Sequence, residues 1–263
     1  MTTLEIVLIA VCMLLALVLA FSIKHLAHYR LRLRHDALVF KWPIPQANPE
    51  YITSRLEEGP YGAKLEAEIN IIPAYQSYAS LNELETVVLA NLAKDSSRVF
   101  ELGTASGRTT YIMASNMKSD GHVTTITLSR EQALAYAAEG SDASTDSEHA
   151  IEESRFETFL YSGTPMENRI TQLFGDSKQF DASGHEEAFD LIFVDGSHAY
   201  SYVKHDSLMC RSMLAPGGVM VWHDYRGRRE VPGVYQCLNE LHAEGWDMRH
   251  IRGTSFVVWR KEA

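Results

Sequence analysis

The chain has 263 residues, 46% of them hydrophobic and 22% charged, enough for one large globular domain or two small ones with a sizeable core. Its formal net charge of −10 argues against a nucleic-acid binder, because neutralising phosphates takes clustered Lys and Arg. Cys12, Cys210 and Cys237 make neither a disulfide framework nor a CxxC metal pair, which suits a reducing compartment.

The first element has the pattern of a membrane span. Leu4 to Ile23 is apolar apart from Glu5 at its edge and Ser22 near its end. Twenty residues at about 1.5 Å each reach about 30 Å, the hydrocarbon thickness of a bilayer. Lys24, Arg30, Arg32 and Arg34 follow the run, and no Lys or Arg precedes it. Positive flanks stay on the cytoplasmic side, so this pattern predicts a single-pass membrane protein anchored through residues 4–23, with its soluble domain in the cytoplasm. A cleaved signal peptide competes, since Leu17-Val18-Leu19-Ala20 ends on a small residue. The missing basic start and the long apolar run favour the anchor. Residues 1–35 thus read as anchor and basic flank.

Residues 36–79 hold Pro43, Pro45, Pro49, Pro60 and Pro73, and read as a linker with short helical cover pieces. From residue 80 to 263 the chain alternates helix and strand. Ser80-Leu81-Asn82-Glu83 reads as a capping box, followed by Leu84, Val88 and Leu92 at helical spacing. A strand is expected over Arg98–Leu102, a glycine turn over Glu101–Gly107 and a helix over Thr109–Met117. A strand over His122–Leu128 and a helix over Arg130–Glu139 follow. Residues 140–158, rich in Ser, Asp and Glu, read as a solvated loop. Further strands are expected over Ile170–Phe174, Phe189–Val194 and Val219–Trp222, with helices over Tyr200–Leu214 and Gly233–Glu244. Met248–Ile251 and Ser255–Trp259 form a candidate antiparallel hairpin across Arg252-Gly253. Near-continuous apolar strands between helices predict a Rossmann-like, doubly wound α/β fold with a mostly parallel sheet.

Ligands of such sheets bind outside the carboxyl ends of the strands. Four polar clusters fall there: Glu101 with the glycine turn, Asp176-Ser177, Asp195 to His198, and His223-Asp224. An Asp after a strand often does no more than cap the next helix. Four clusters together ask for more than capping.

The stretches VFELGTASGRTT, FGDS, FDLIFVDGSHAYSYVKHD, LAPGGVMVWHDY and HIRGTSFVVW resemble those of class I S-adenosylmethionine-dependent methyltransferases. The resemblance is to the branch of metal-dependent O-methyltransferases and cephalosporin hydroxylase-like domains. It implies a seven-stranded sheet closed by the hairpin. It also implies that Glu101, Gly103, Thr104, Ala105, Ser106 and Gly107 hold the methionine part of S-adenosylmethionine, with Asp176 and Ser177 near the adenine. Asp195, His223 and Asp224 take the positions that hold Mg²⁺ in relatives. The imidazole of His223 also suits softer divalent metals, and a metal-free site stays open. His198 is the candidate general base, with a structural histidine as the alternative. One position departs from the family pattern. Thr127 stands where relatives end the second strand with an acid for the ribose hydroxyls, and Glu131 is the nearest substitute.

The expected function is methyl transfer to a hydroxyl of a small molecule, sugar or lipid-linked substrate at the membrane. A catalytically silent, membrane-tethered interaction module is the first alternative, motivated by Thr127. An NAD-binding oxidoreductase is the second, and the G-x-x-x-G spacing speaks against it.

Overall fold

The computed structural model describes residues 2–38, 42–60, 62–73, 81–134 and 151–263. The chain divides into two compact units, Met1–Pro43 and Ile44–Ala263. In the first, α1 (Thr3–Leu38) runs through both the apolar stretch and the basic flank. It has no polar face over its apolar part, and Leu14, Leu15, Leu17, Val18, Leu19 and Phe21 are each more than half exposed. Among the described residues no helix is long and apolar enough to cross a membrane.

The second unit is built on an eight-stranded sheet. Its strands are β1 (Gln46–Ala47), β4 (Arg98–Leu102), β5 (His122–Thr127), β6 (Ile170–Phe174), β7 (Phe189–Val194), β8 (Leu214–Trp222), β9 (Arg249–Ile251) and β10 (Val257–Arg260). A separate antiparallel pair, β2 (Glu58–Gly59) with β3 (Gly62–Ala63), lies in the cover segment. The order across the main sheet is β1-β9-β10-β8-β7-β4-β5-β6. Strands β8, β7, β4, β5 and β6 are mutually parallel. Strand β10 runs antiparallel between β8 and β9, as the terminal hairpin requires.

The eighth strand corrects the expected seven. Gln46 and Ala47 pair in parallel with His250 and Ile251, through His250 N–H to the Pro45 carbonyl (2.9 Å) and Arg252 N–H to the Ala47 carbonyl (2.9 Å). The cover segment is therefore part of the fold rather than a linker beside it. Ile52, Leu56 and Ala67 sit in the same core cluster as Val99 and Phe193.

Helices α2 (Glu83–Ala93) and α3 (Arg108–Asn116) bury Val88, Leu89, Met113 and Ala114 in the core cluster that includes Val99, Leu191 and Val221. Helices α5 (Tyr200–Met213) and α6 (Pro232–Ala243) bury Val203, Cys210, Cys237 and Leu241. The described part of the helix expected over 130–139 is α4 (Arg130–Leu134); residues 135–139 lie outside the described residues. The capping box is shifted from its expected place. Asn82 is the cap: its Oδ1 accepts the Glu85 N–H (2.9 Å) and its own N–H donates to Glu85 Oε2 (2.8 Å). Ser80 lies outside the described residues.

The topology locates the site. From β4 the chain moves outward through β5 to β6, then returns to β7 on the other side of β4. The carboxyl ends of β4 and β7 thus flank a switch point, the crevice where open α/β sheets take ligands. Asp190 ties the opposite ends of the same two strands, accepting the Ser97 and Arg98 N–H groups at 3.0 Å each.

Candidate active site

Backbone hydrogen bonds extend the ladder one residue beyond the strands. Gly103 N–H donates to the Ile126 carbonyl (2.9 Å), Asp195 N–H to Leu102 (2.9 Å) and His223 N–H to Val194 (3.1 Å). These bonds bring the glycine turn, Asp195 and His223 to one edge, although 120 residues of chain separate Gly103 from His223. Gly103 has φ +94°, and a Cβ there would run into the Asp195 carbonyl. Only a bare backbone lets the ends of β4 and β7 lie this close. Gly107, at φ +76°, caps α3, and a Cβ there would sit 2.7 Å from the Tyr161 ring. Ala105 between them is also left-handed, at φ 42°.

The turn is held from its other side by β5 and β6. The Thr104 and Thr125 hydroxyls lie 2.7 Å apart, and Gln172 Nε2 donates to Thr104 Oγ1 (3.2 Å). The Ser106 carbonyl accepts the Leu160 N–H (2.9 Å). Glu101 is fully buried beneath the turn, with Oε2 accepting from the Thr110 hydroxyl and Oε1 lacking a partner among the described residues. Burial pushes its carboxyl up to about 7, against the opposing hydrogen bonds of Thr109, Thr110 and Thr125. A buried carboxylate oxygen without a donor fits a cationic ligand group such as an ammonium.

A cleft opens beside the turn, walled by Gly103, Thr127, Gly175, Ser177 and Gly196, with Glu153 and Asp206 also on its wall. Ser177 thus lines the cleft. Asp176 does not line it: Oδ1 caps the following short helix through the Lys178 N–H (2.9 Å), and Oδ2 accepts the Tyr202 hydroxyl (3.0 Å). Glu131, the candidate substitute for the missing acid, is exposed and lies off the cleft wall. The reading of 140–158 as solvated needs correction where the structure describes it. Residues 151–153 are helical, Ser154 is buried, and Glu153 enters the cleft wall, while 140–150 lie outside the described residues. Burial pushes the Glu153 carboxyl up to about 8, with His198, Asp195, Asp224 and His223 the charges that act most on it.

Asp195, His198, His223 and Asp224 come together as the sequence suggested. His223 Nδ1 lies 2.8 Å from Asp195 Oδ1 and 3.3 Å from Asp224 Oδ2. His198 Nε2 lies 2.7 Å from Asp224 Oδ2. Arg226 reaches the other oxygen of Asp224 (2.8 Å), whereas Arg228 and Arg229 are exposed. Asp224 holds a left-handed backbone at φ 61°, a strain of about 1–3 kcal/mol that clusters at functional sites. The surrounding packing enforces it: the Asp224 N–H meets Ser255 Oγ (3.3 Å), and the Tyr225 N–H donates to the Ser255 carbonyl (3.0 Å). His198 is fixed from behind, because a Cβ on Gly233 at the start of α6 would strike the His198 carbonyl.

One member of the cluster carried no site signal in the sequence. Glu85, in the first turn of α2, is buried, and its Oε1 accepts the N–H (2.6 Å) and hydroxyl (2.8 Å) of Ser255. Its Oε2 stands 3.5 Å from His223 Nε2. Burial raises the Glu85 carboxyl, but His223 and the Ser255 and Asn82 amides outweigh that and hold it at about 2. Burial alone would lower both histidines; the Asp195 and Asp224 carboxylates reverse this and hold His223 well above its usual range, and the Asp224 hydrogen bond holds His198 raised. Asp224 is driven well below the carboxylate range by the same pairs, against its own burial, while burial and the neighbouring Asp224 charge raise Asp195 against its His223 contact.

One ligand atom each from Asp195, His223 and Asp224 lies within 4.8 Å of the other two. Two hard oxygens and an imidazole nitrogen at that spacing fit a divalent cation.

Residues 100–225 match the family model described as a methyltransferase domain. Those residues are similar to a methyltransferase domain. The matched stretch takes in the glycine turn, Asp176, Asp195 to His198 and His223-Asp224, so every strand-end cluster falls inside it. It agrees with the class I methyltransferase resemblance and gives the dinucleotide oxidoreductase no support. Solved structures are similar to the chain. A candidate caffeoyl-CoA O-methyltransferase from Staphylococcus aureus is 16% identical, covers 70% of this chain and 86% of its own, with a TM-score of 0.50. A candidate O-methyltransferase from Klebsiella pneumoniae is 18% identical, with 71% and 84% covered and a TM-score of 0.49. The O-methyltransferase TomG from Streptomyces achromogenes, involved in tomaymycin synthesis and solved with S-adenosylmethionine, is 17% identical, with 70% and 82% covered and a TM-score of 0.46. No curated protein sequence matches the chain.

Proposed function

We propose that the protein transfers a methyl group from S-adenosylmethionine to a hydroxyl of a small molecule, sugar or lipid-linked substrate. The observation that carries this reading is the meeting of His198, Asp195, His223 and Asp224 beside the glycine turn of a methyltransferase domain. Glu101 Oε1, buried beneath the turn and not on the cleft wall, is the acceptor assigned to the ammonium of the methionine moiety, and the bare backbone at Gly103 and the wall at Ser177 accept the rest. S-adenosylmethionine, when bound, supplies a methyl on a cationic sulfonium.

In the transfer, the acceptor oxygen forms the new bond to the methyl carbon, the sulfur keeps the electron pair of the broken bond, and the hydroxyl proton leaves to His198. Asp224 holds the His198 ring through Nε2–H, which places the basic lone pair on Nδ1. Asp195, His223 and Asp224 would hold a divalent cation, which lowers the pKa of a coordinated hydroxyl. Positioning by these residues supplies much of the rate, since methyl transfer asks little covalent chemistry of the protein.

Residues 4–23 serve as the membrane anchor in this reading, with the domain on the cytoplasmic side. The apolar run, the exposed apolar side chains of α1 and the Lys24 to Arg34 flank support it. Such an anchor favours lipid-linked acceptors by confining the enzyme beside them.

Calorimetric titration of the full chain in detergent with S-adenosylmethionine and S-adenosylhomocysteine, with and without Mg²⁺ or Mn²⁺, tests the reading. Binding in the micromolar range supports it. No binding at millimolar ligand overturns it in favour of a silent module.

A further inference from the structure

Nucleoside sites in open α/β sheets hold the ribose hydroxyls with an acid at the end of the second strand of the site. Here that position, at the end of β5, is Thr127, which cannot accept two hydroxyls as a carboxylate does. Among the described residues, the carboxylates on the cleft wall are Glu153 and Asp206. Asp206 is already engaged: it is buried, its Oδ1 lies 3.2 Å from His205 Nδ1, and the Ser177 side chain also bonds it. Glu153 shares the wall with Gly103, Thr127 and Leu128, and the next residue, Ser154, is buried on the same wall. The cations that act most on Glu153 are the imidazoles of His198 and His223, not a Lys or Arg. A part-buried carboxylate so placed gains from hydroxyl donors brought by a ligand.

We propose that Glu153 is the carboxylate that receives the ribose hydroxyls of the bound nucleoside, replacing from a different segment the strand-end acid this chain lacks. The inference rests on the S-adenosylmethionine reading above. It gives a binding role to the stretch 151–154, at the far end of the Ser/Asp/Glu-rich run.

The test is calorimetry on the full chain in detergent, with S-adenosylhomocysteine and its 2′,3′-dideoxy analogue as probes. Glu153→Ala weakens S-adenosylhomocysteine binding by about 10- to 100-fold, as the loss of charge-assisted hydrogen bonds does. Glu153→Gln, which keeps the shape and so the fold, falls between. With the dideoxy analogue, wild type and Glu153→Ala bind alike, and Mn²⁺ affinity is the same in both proteins. Undiminished S-adenosylhomocysteine binding by Glu153→Ala overturns the inference, as does an equal loss for both nucleosides. Lost Mn²⁺ affinity with intact nucleoside binding overturns it too, and moves Glu153 to the cation cluster. Failure of the wild type to bind S-adenosylhomocysteine defeats the functional reading itself; wild-type binding with an unaffected variant defeats only the assignment of Glu153.

Discussion

His223 Nδ1 stands 2.8 Å from Asp195 Oδ1, so side chains that follow two neighbouring parallel strands form one hydrogen-bonded unit. Asp224 extends the unit to His198, and Glu85 approaches it from α2. This linkage makes the roles of the four strand-end residues separable by substitution.

His198→Ala is expected to slow methyl transfer by about 10²–10⁴-fold, the usual contribution of a general base. Binding of S-adenosylhomocysteine should stay within about twofold, since His198 holds no part of the cofactor in this account. Paired turnover and calorimetry check this; unchanged turnover removes His198 from the chemistry.

Asp224→Asn keeps the side-chain shape and suits the left-handed backbone at φ 61°. It removes the carboxylate that favours the His198 imidazolium. The His198 pKa should therefore fall toward its ordinary 6.5, read from the pH dependence of its ring-proton NMR signal in metal-free protein. A pKa unmoved by the substitution contradicts the pairing.

Glu101 predicts a pH signature in stability. Its carboxyl titrates at about 7 when folded against an ordinary 4.5. A raised folded-state pKa gives stability that is fully present below pH 4.5 and is lost as pH rises through 7. Glu101→Gln removes that loss, so the variant should match wild type near pH 4.5 and exceed it by up to about 3 kcal/mol at pH 8. Urea unfolding of both proteins across this range reads the difference. A constant gap between the curves contradicts it.

Gly103→Ala places a Cβ against the Asp195 carbonyl at a backbone φ of +94°. Both effects oppose it, and a loss of at least about 2 kcal/mol in unfolding free energy is expected. Gly163→Ala is the control, since it shares a positive φ of +74° but meets nothing within 4 Å. It should cost less than Gly103→Ala, by the strain of the backbone alone.

The sheet interior was legible because its strands are unbroken apolar runs between turn residues. The spans Arg98–Leu102, Ile170–Phe174 and Phe189–Val194 stand where the pattern placed them. The strand-end acids and histidines were legible for the same reason, since each directly follows such a run. Strand β1 was not, because two residues joined to β9 by backbone bonds leave no side-chain period to read. Glu85 was hidden by its role in the cap: only the fold brings the carboxylate of the Asn82 box next to Ser255 and His223. Glu153 was hidden by its neighbours, because composition reports the average of a polar stretch and not which of its residues line a cleft. Asp176 shows the converse, an acid at a strand end that caps a helix and leaves the cleft to Ser177.

A crystal structure of the full chain grown with S-adenosylhomocysteine and Mn²⁺ tests the central claim most directly. The account predicts the nucleoside in the cleft walled by Gly103, Thr127 and Ser177, its ammonium on Glu101, and an anomalous Mn²⁺ peak among Asp195, His223 and Asp224. A nucleoside bound elsewhere, or a cleft that stays without one at millimolar ligand, would contradict it.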